Sequence, residues 1–323
     1  MSSPTLALAS FTVCLLMALL FLSTPSQQQQ FISVNKDFTA AFDAAIQELV
    51  VDNSWIQFYS DNMFFGVPQC ATKVQWPAKD PFAQMGRTKI VTCFEIGTLT
   101  PWLETKTKLA ESVVKIINNH YKTNYINEVK RYNTSLLGFF DTMKNAVGTG
   151  DCDIVTANTQ PNADRAKVVH FQCGFGFASK GWIRSGKDAH ISIPDVYSLN
   201  KTGILVGAYD GTAYATFVKQ TLTAATYVPF YAVNLQYGAV LNQTVHALIG
   251  DAIQFFSWKK QVGNCNCEVK AYDPAYGLST FTYGNITETS FATSSIRFGT
   301  QSWMSMAVVM MMVLFMIQTL FMF

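Results

Sequence analysis

Three segments of this chain place groups of opposite character just after apolar runs. Asp153-Ile154-Val155-Thr156-Ala157 is followed by Asn158, Thr159 and Gln160, then by Asp164-Arg165. Ile204-Leu205-Val206-Gly207 leads into Asp210-Gly211-Thr212, and His246-Ala247-Leu248-Ile249-Gly250 leads into Asp251. A guanidinium grips a carboxylate through two parallel hydrogen bonds. A Gly-Thr turn opening a helix adds N–H and hydroxyl donors for the same group. An aspartate opposite would accept an ammonium. The set complements the zwitterionic head of an α-amino acid. Each residue also has a plainer use. Arg165 could cap a helix or pair with Asp164, Asp251 is a common N-cap, and Thr212 suits an ordinary turn.

Other chemistries find no support. Gly-x-Ser-x-Gly, His-Glu-x-x-His, the phosphate loop and a complete Gly-x-Gly-x-x-Gly are absent, and Gly174-Phe175-Gly176 lacks the third glycine. His120, His170, His190 and His246 make no spaced pair. Cys265-Asn266-Cys267 resembles half a zinc site, but no second Cys or His pair accompanies it. An enzyme is therefore not expected, nor a metal or other cofactor. With Lys+Arg 23 against Asp+Glu 21, the chain lacks the basic excess of a nucleic-acid binder.

The elements that must position these residues alternate in type. Lys89-Ile90-Val91-Thr92-Cys93-Phe94 reads as a buried strand ended by Gly97 and Pro101. Leu109, Val113, Ile116 and Ile117 mark one face of a following helix, and another helix spans 136–147 before Gly148 and Gly150. The runs at 153–157, 204–207 and 246–250 are further strands, with a helix through Phe217 and Leu222 after the second. Alternation of this kind predicts an α/β sheet, in which ligands bind beyond the carboxyl ends of the strands.

Gly150-Asp151-Cys152-Asp153-Ile154-Val155 followed by Asp164-Arg165-Ala166-Lys167-Val168-Val169-His170-Phe171 resembles the signature of the family 3 periplasmic solute-binding proteins. Relatives of that family include the ligand-binding cores of ionotropic glutamate receptors. The resemblance implies a two-lobed α/β fold of the type II periplasmic-binding-protein kind. It also implies that Arg165 holds a ligand's α-carboxylate, with Gly211 and Thr212 as the Gly-Thr turn and Asp251 as the partner of the α-amino group. Glu95 falls where the family often reads the ligand's side chain, and Trp102 where an aromatic often packs on it. Both could equally be core residues. Asn158, Thr159 and Gln160 stand at the family's hydroxyl or glycine contacts, Asn162 replaces its Thr before the Arg, and His170 replaces its Asp before the Phe.

Chain order departs as well. Tyr276-Gly277-Leu278-Ser279-Thr280-Phe281 resembles the family's last strand, but its closing helices stand first in this chain, at 38–49 and 52–59, with Phe42, Ala45, Ile46 and Leu49 as an apolar stripe. The reading is a circular permutation: permuted helices in 27–66, a linker at 67–86, lobe 1 at 87–174, lobe 2 at 175–265 and a return to lobe 1 at 266–291.

The ends explain the composition. Only 14% of residues are charged, and mean hydropathy is +0.16. Residues 1–26 read as a signal peptide with the apolar run Leu6–Leu22, although no basic residue precedes it; a membrane span is the alternative. Residues 292–323 read as a GPI-attachment signal: Ala292, Ser294 or Ser295 as the attachment residue, a short spacer, then an uncharged tail. A true span is again the alternative. Acceptor sequons at Asn133, Asn200, Asn242 and Asn285 fit export, as do the cysteines, whose pairing stays open. The expected protein is a solute-binding protein on the outer face of the plasma membrane, capturing a small carboxylate-bearing ligand by lobe closure. Its expected partners are that ligand and, through the lipid anchor, the membrane. A glycosylated coat or adhesion protein with a degraded cleft is the first alternative, and a dehydratase-like enzyme, with Glu95 as its acid, the second.

Overall fold

The computed structural model describes residue 32 and residues 34–287, so residues 1–26 and 292–323, expected from the sequence to be targeting segments, lie outside the described residues. Its elements in chain order begin with β1 (Val34–Asn35), α1 (Lys36–Val51), α2 (Asn53–Met63), α3 (Pro81–Gln84), β2 (Lys89–Glu95), α4 (Trp102–Tyr121), β3 (Ile126–Tyr132), α5 (Gly138–Gly148) and β4 (Ile154–Thr159). They continue with β5 (Val169–Arg184), β6 (Leu205–Tyr209), α6 (Ala213–Thr221), β7 (Thr226–Phe230), α7 (Val233–Leu241), β8 (Ala247–Asp251), α8 (Ala252–Val262), β9 (Glu268–Tyr283) and β10 (Ile286–Thr287). No helix among the described residues is long and apolar enough to cross a membrane.

Local chemistry starts the helices where the sequence says it should. Asn35 accepts the N–H of Asp37 at 2.7 Å to open α1, and Asp52 accepts that of Ser54 at 2.7 Å to open α2. Phe42, Ala45, Ile46 and Leu49 then bury the predicted stripe. Trp55 and Tyr59 of α2 send their polar ends to β5, donating to the carbonyls of Phe175 and Phe177 at 3.0 and 2.7 Å.

The main sheet has the order β3-β2-β4-β9-β5-β8-β6-β7. Its long strands β5 and β9, 16 residues each, run antiparallel through both lobes. The parallel strands β3, β2 and β4 join one half of this pair, and the parallel strands β8, β6 and β7 join the other. β4 meets β9 with Thr159 opposite Ser279, while β8 meets β5 with Asp251 opposite Lys180. The carboxyl ends of both parallel sets therefore point at the same waist. A register shift in β5 between Ala178 and Lys180 marks it. The lobe crossings fall inside β5 and β9, because these two continuous strands carry the chain across.

Edge strands are protected. β3 alternates charged residues such as Glu128 and Lys130, and β7 carries Pro229, which removes a donor from the outer edge. The segment at 67–86 is docked to lobe 1 instead of hanging free. Asp80 caps α3 by accepting from Phe82 at 2.8 Å, Phe82 is fully buried, and Cys70 is bonded to Cys173. The other disulfides are Cys93–Cys152 and Cys265–Cys267, so the Cys-Asn-Cys segment is a disulfide and not a metal half-site. Val34 pairs with Ile286, which sets the two ends of the described fold side by side.

Candidate binding cleft

The waist encloses a cavity with about 660 Å³ of free space, open mouth included. Lobe 1 contributes Glu95, Lys106, Phe139, Asn158, Gln160 and Arg165 to its wall. Lobe 2 contributes Tyr209, Thr212, Tyr214, Gln236, Tyr237, Asp251 and Gln254. The lobes are in contact across it. Phe139 N donates to the Asp210 carbonyl at 3.1 Å, and Thr134 Oγ1 donates to the Tyr231 carbonyl at 2.8 Å while receiving the Tyr209 hydroxyl at 2.6 Å.

Arg165 is buried just after β4 and forms no ion pair among the described residues; Asp164 pairs with Lys167 instead. The guanidinium lies over the Phe140 ring at 4.6 Å. It donates from Nη1 to the Gln160 carbonyl at 3.0 Å and from Nη2 to the Gly211 carbonyl at 2.9 Å. Burial draws its pKa down to about 10, so it remains a cation at neutral pH. Two neutral carbonyls hold its orientation without cancelling its charge, and that is the condition under which an arginine attracts an anion. The substituted Asn162 supports the same turn, because its side chain accepts the Arg165 N–H at 2.8 Å.

Asp251 ends β8 and caps α8. Its Oδ1 accepts the Gln254 N–H at 2.9 Å, while buried Oδ2 has no hydrogen-bond partner. The capping and the binding readings therefore coexist on the two oxygens of one carboxylate. Burial raises its pKa to about 6, against the Gln254 N–H and the positive charge of Lys106.

Lys106 was not foreseen. It stands on the buried stripe of α4 between Trp102 and Leu109, is 1% exposed, and forms an ion pair with Glu95, which is 3% exposed. Thr98 Oγ1 bridges the pair, donating to Glu95 Oε1 at 3.0 Å and receiving Lys106 Nζ at 3.2 Å. Glu95 Oε2 has no partner. Burial pulls the ammonium pKa down, and Glu95 opposes this. Arg165 and Asp251 both act on the Tyr276 phenol, and Lys106 acts on Asp251 and Glu95. Arg165, Asp251, Lys106 and Glu95 therefore share one cavity wall, with Lys106 paired to Glu95.

Some expected contacts fall elsewhere. Trp102 does not line the cavity. Its indole is buried in the lobe 1 core, where its N–H favours the Asp251 carboxylate electrostatically but lacks hydrogen-bond geometry. Thr159 also lies off the wall, because its hydroxyl turns back to the Ala157 carbonyl at 3.3 Å. Gly211 offers Arg165 its carbonyl, not an N–H to the cavity. Thr212 is on the wall, but its proton goes to the Tyr209 carbonyl at 2.5 Å and its oxygen caps Ala215 N at 3.3 Å. What remains for an anion on this side is the start of α6, where Thr212, Ala213 and Tyr214 line the cleft. Gln236, Tyr237 and Gln254 were missed as well, since single polar residues in apolar helices carry no spacing signal.

No family model and no curated protein matches the chain. Solved structures do. The solute receptor for L-cysteine of Neisseria gonorrhoeae is similar at a TM-score of 0.51 and 17% identity, over 64% of this chain and 82% of that one. A putative binding component of an ABC transporter from Wolinella succinogenes, complexed with lysine, is similar at 0.51 and 14%, over 61% and 82%. A cysteine-binding protein from Campylobacter jejuni is similar at 0.50 and 16%, over 63% and 79%. With strand order, waist and neighbours in agreement, the chain has the two-lobed α/β fold of the type II periplasmic solute-binding proteins.

Proposed function

We propose that this protein is an extracellular, lipid-anchored solute-binding protein that captures an α-amino acid by closure of its two lobes. The observation that carries the reading is a buried arginine without an anionic partner and a buried aspartate with an unpartnered oxygen, both on the wall of one interlobe cavity. Arg165 takes the ligand's carboxylate together with the start of α6, and Asp251 Oδ2 takes its ammonium. Arg165 belongs to lobe 1, and the start of α6 and Asp251 to lobe 2, so the ligand binds the closed state better and shifts the population towards it. The names of the similar structures, two cysteine receptors and a lysine complex, support the amino-acid class. Glu95 is tied to Lys106, which favours binding over acid catalysis at that position.

Export is part of the proposal. The side chains of Asn133, Asn200, Asn242 and Asn285 are all exposed, as glycan acceptors must be, and the disulfides suit an oxidising compartment. The permutation also belongs here. α1 and α2 pack on lobe 1 against β5, and paired Val34 and Ile286 supply the proximity of ends that it requires.

Calorimetry with the common amino acids tests the binding reading. Arg165→Ala is expected to cost on the order of 2–5 kcal/mol of affinity, the range for removing one partner of a desolvated charge pair. Unchanged affinity in that variant would remove the mechanism. Release from cells by phosphatidylinositol-specific phospholipase tests the anchor, and retention would point to a spanning tail.

A further inference from the structure

Besides the groups assigned to the amino-acid head, the cleft holds a second set of polar atoms that no described residue satisfies. Glu95 Oε2, Gln236 Oε1, the Tyr237 hydroxyl and Gln254 Nε2 are all buried and unpartnered, and all four side chains line the same cavity. Buried polar groups are seldom left this way. Their positions are related. Tyr209 on the same wall feels the Glu95 charge, and the turn after β2 touches α7, where a Cβ on Gly97 would stand 3.0 Å from Asn234 Oδ1. Glu95 of lobe 1 and Gln236 and Tyr237 of lobe 2 therefore line the cavity from the two sides of a contact between the turn after β2 and α7.

We propose that these atoms read the side chain of the bound amino acid and select an uncharged group that both donates and accepts hydrogen bonds, a primary carboxamide. The proposal rests on the amino-acid reading above. Each rival class fails on a named atom. A basic side chain would bring a second cation beside Lys106, whose charge already balances Glu95. An acidic one would face Glu95 Oε2, an acceptor with no proton to give. An aliphatic one would leave every orphan atom buried and unpaired, the costly outcome for polar groups in a dry site. A hydroxyl has a single proton for the two acceptors. A carboxamide directs its two N–H bonds at Glu95 Oε2 and Gln236 Oε1, while its oxygen accepts from Tyr237 or Gln254. A site that hydrogen-bonds a polar group rejects analogues lacking it strongly, because its own atoms are then stranded.

Calorimetry on the full-length chain with glutamine, asparagine, alanine, glutamate, arginine and leucine decides the matter. Glutamine or asparagine should bind at least tenfold more tightly than each of the others. A charged or aliphatic amino acid that binds as tightly as the carboxamides overturns this inference and leaves the amino-acid function standing. Silence across the whole panel overturns the function, and the inference with it. Two variants separate selection from folding. Gln236→Leu should weaken glutamine at least tenfold and alanine less than threefold, with unfolding temperature as the check on integrity. Glu95→Gln leaves Lys106 uncompensated and should move the preference from glutamine towards glutamate. Equal losses for glutamine and alanine in both variants would show that these residues only support the cleft.

Discussion

At the scale of single residues, the cleft depends on charges held without being neutralised. Arg165 illustrates the requirement for shape. Its two carbonyl contacts and its stacking on Phe140 use the planar fork of a guanidinium, which an ammonium cannot reproduce. Arg165→Lys should therefore weaken ligand binding by at least tenfold in calorimetry despite keeping the charge. Asp251 gives a pH signature. Its folded carboxyl titrates near 6 against an ordinary 3.8, so the folded state holds a proton that the unfolded chain has lost between those values. Its contribution to stability is then greatest at low pH and declines as pH rises from about 4 to about 6. Keeping the ionised form buried at neutral pH costs up to about 3 kcal/mol, the free-energy equivalent of that difference in proton affinity. Asp251→Asn keeps an N-cap oxygen. Denaturant titration should find that variant more stable than the native chain at pH 7.5, with the gap closing towards pH 4, while amino-acid binding is lost. In the native protein, affinity should be level from about pH 7 to 8, where the ligand keeps its ammonium, and fall about tenfold per pH unit well below 6, as protonation takes away the acceptor for the ammonium.

At the scale of elements, the sequence is most legible where burial is complete on both faces. β2, β4, β6 and β8 each carry a short apolar run buried on both faces, and residues at or just after their carboxyl ends reach the waist as the strand-end rule requires. The charged edge β3 and the Pro-bearing β7 lack that signal. The long strands β5 and β9 are legible only in part, because Gly174, Gly176, Gly181 and Gly277 interrupt any period and their partners change along their length. Gly176 shows why such glycines stand there. A Cβ at this position would fall 2.0 Å from Tyr59 Cζ, on the ring that seals α2 onto β5. Gly176→Ala should destabilise the fold by about 1–3 kcal/mol or more by overpacking. A cycle with Tyr59→Ala should show a cost well short of additive. Full additivity would mean the ring does not press on that strand. Lys106 did leave a trace in the sequence. A lysine between Trp102 and Leu109, in phase with Val113, is a charge on an apolar stripe, and such a charge is kept only with a partner.

At the scale of the molecule, the lobes meet through an unusually close backbone contact. Gly138 and Gly211 both have positive φ, and a Cβ on Gly211 would stand 2.7 Å from Phe139 N in the opposite lobe. Gly211→Ala should hold the lobes ajar. Small-angle scattering would then show a radius of gyration that amino acid no longer reduces, alongside a native response in the parent chain. The permutation has its own test. A variant joining the ends near 34 and 286 through a short loop, and opened within 67–86, should still unfold cooperatively, since those ends lie side by side. The disulfides are divided between the lobes. Cys70–Cys173 and Cys93–Cys152 brace lobe 1, Cys265–Cys267 stays beside lobe 2, and none crosses the cleft. Among the described residues the backbone passes between the lobes only through β5 and β9. Mechanically, this makes a flat two-ply ribbon, compliant to bending across its face and stiff within its plane. A load pulling the two lobes apart would fall on that ribbon before it reached the disulfide-braced interior of lobe 1.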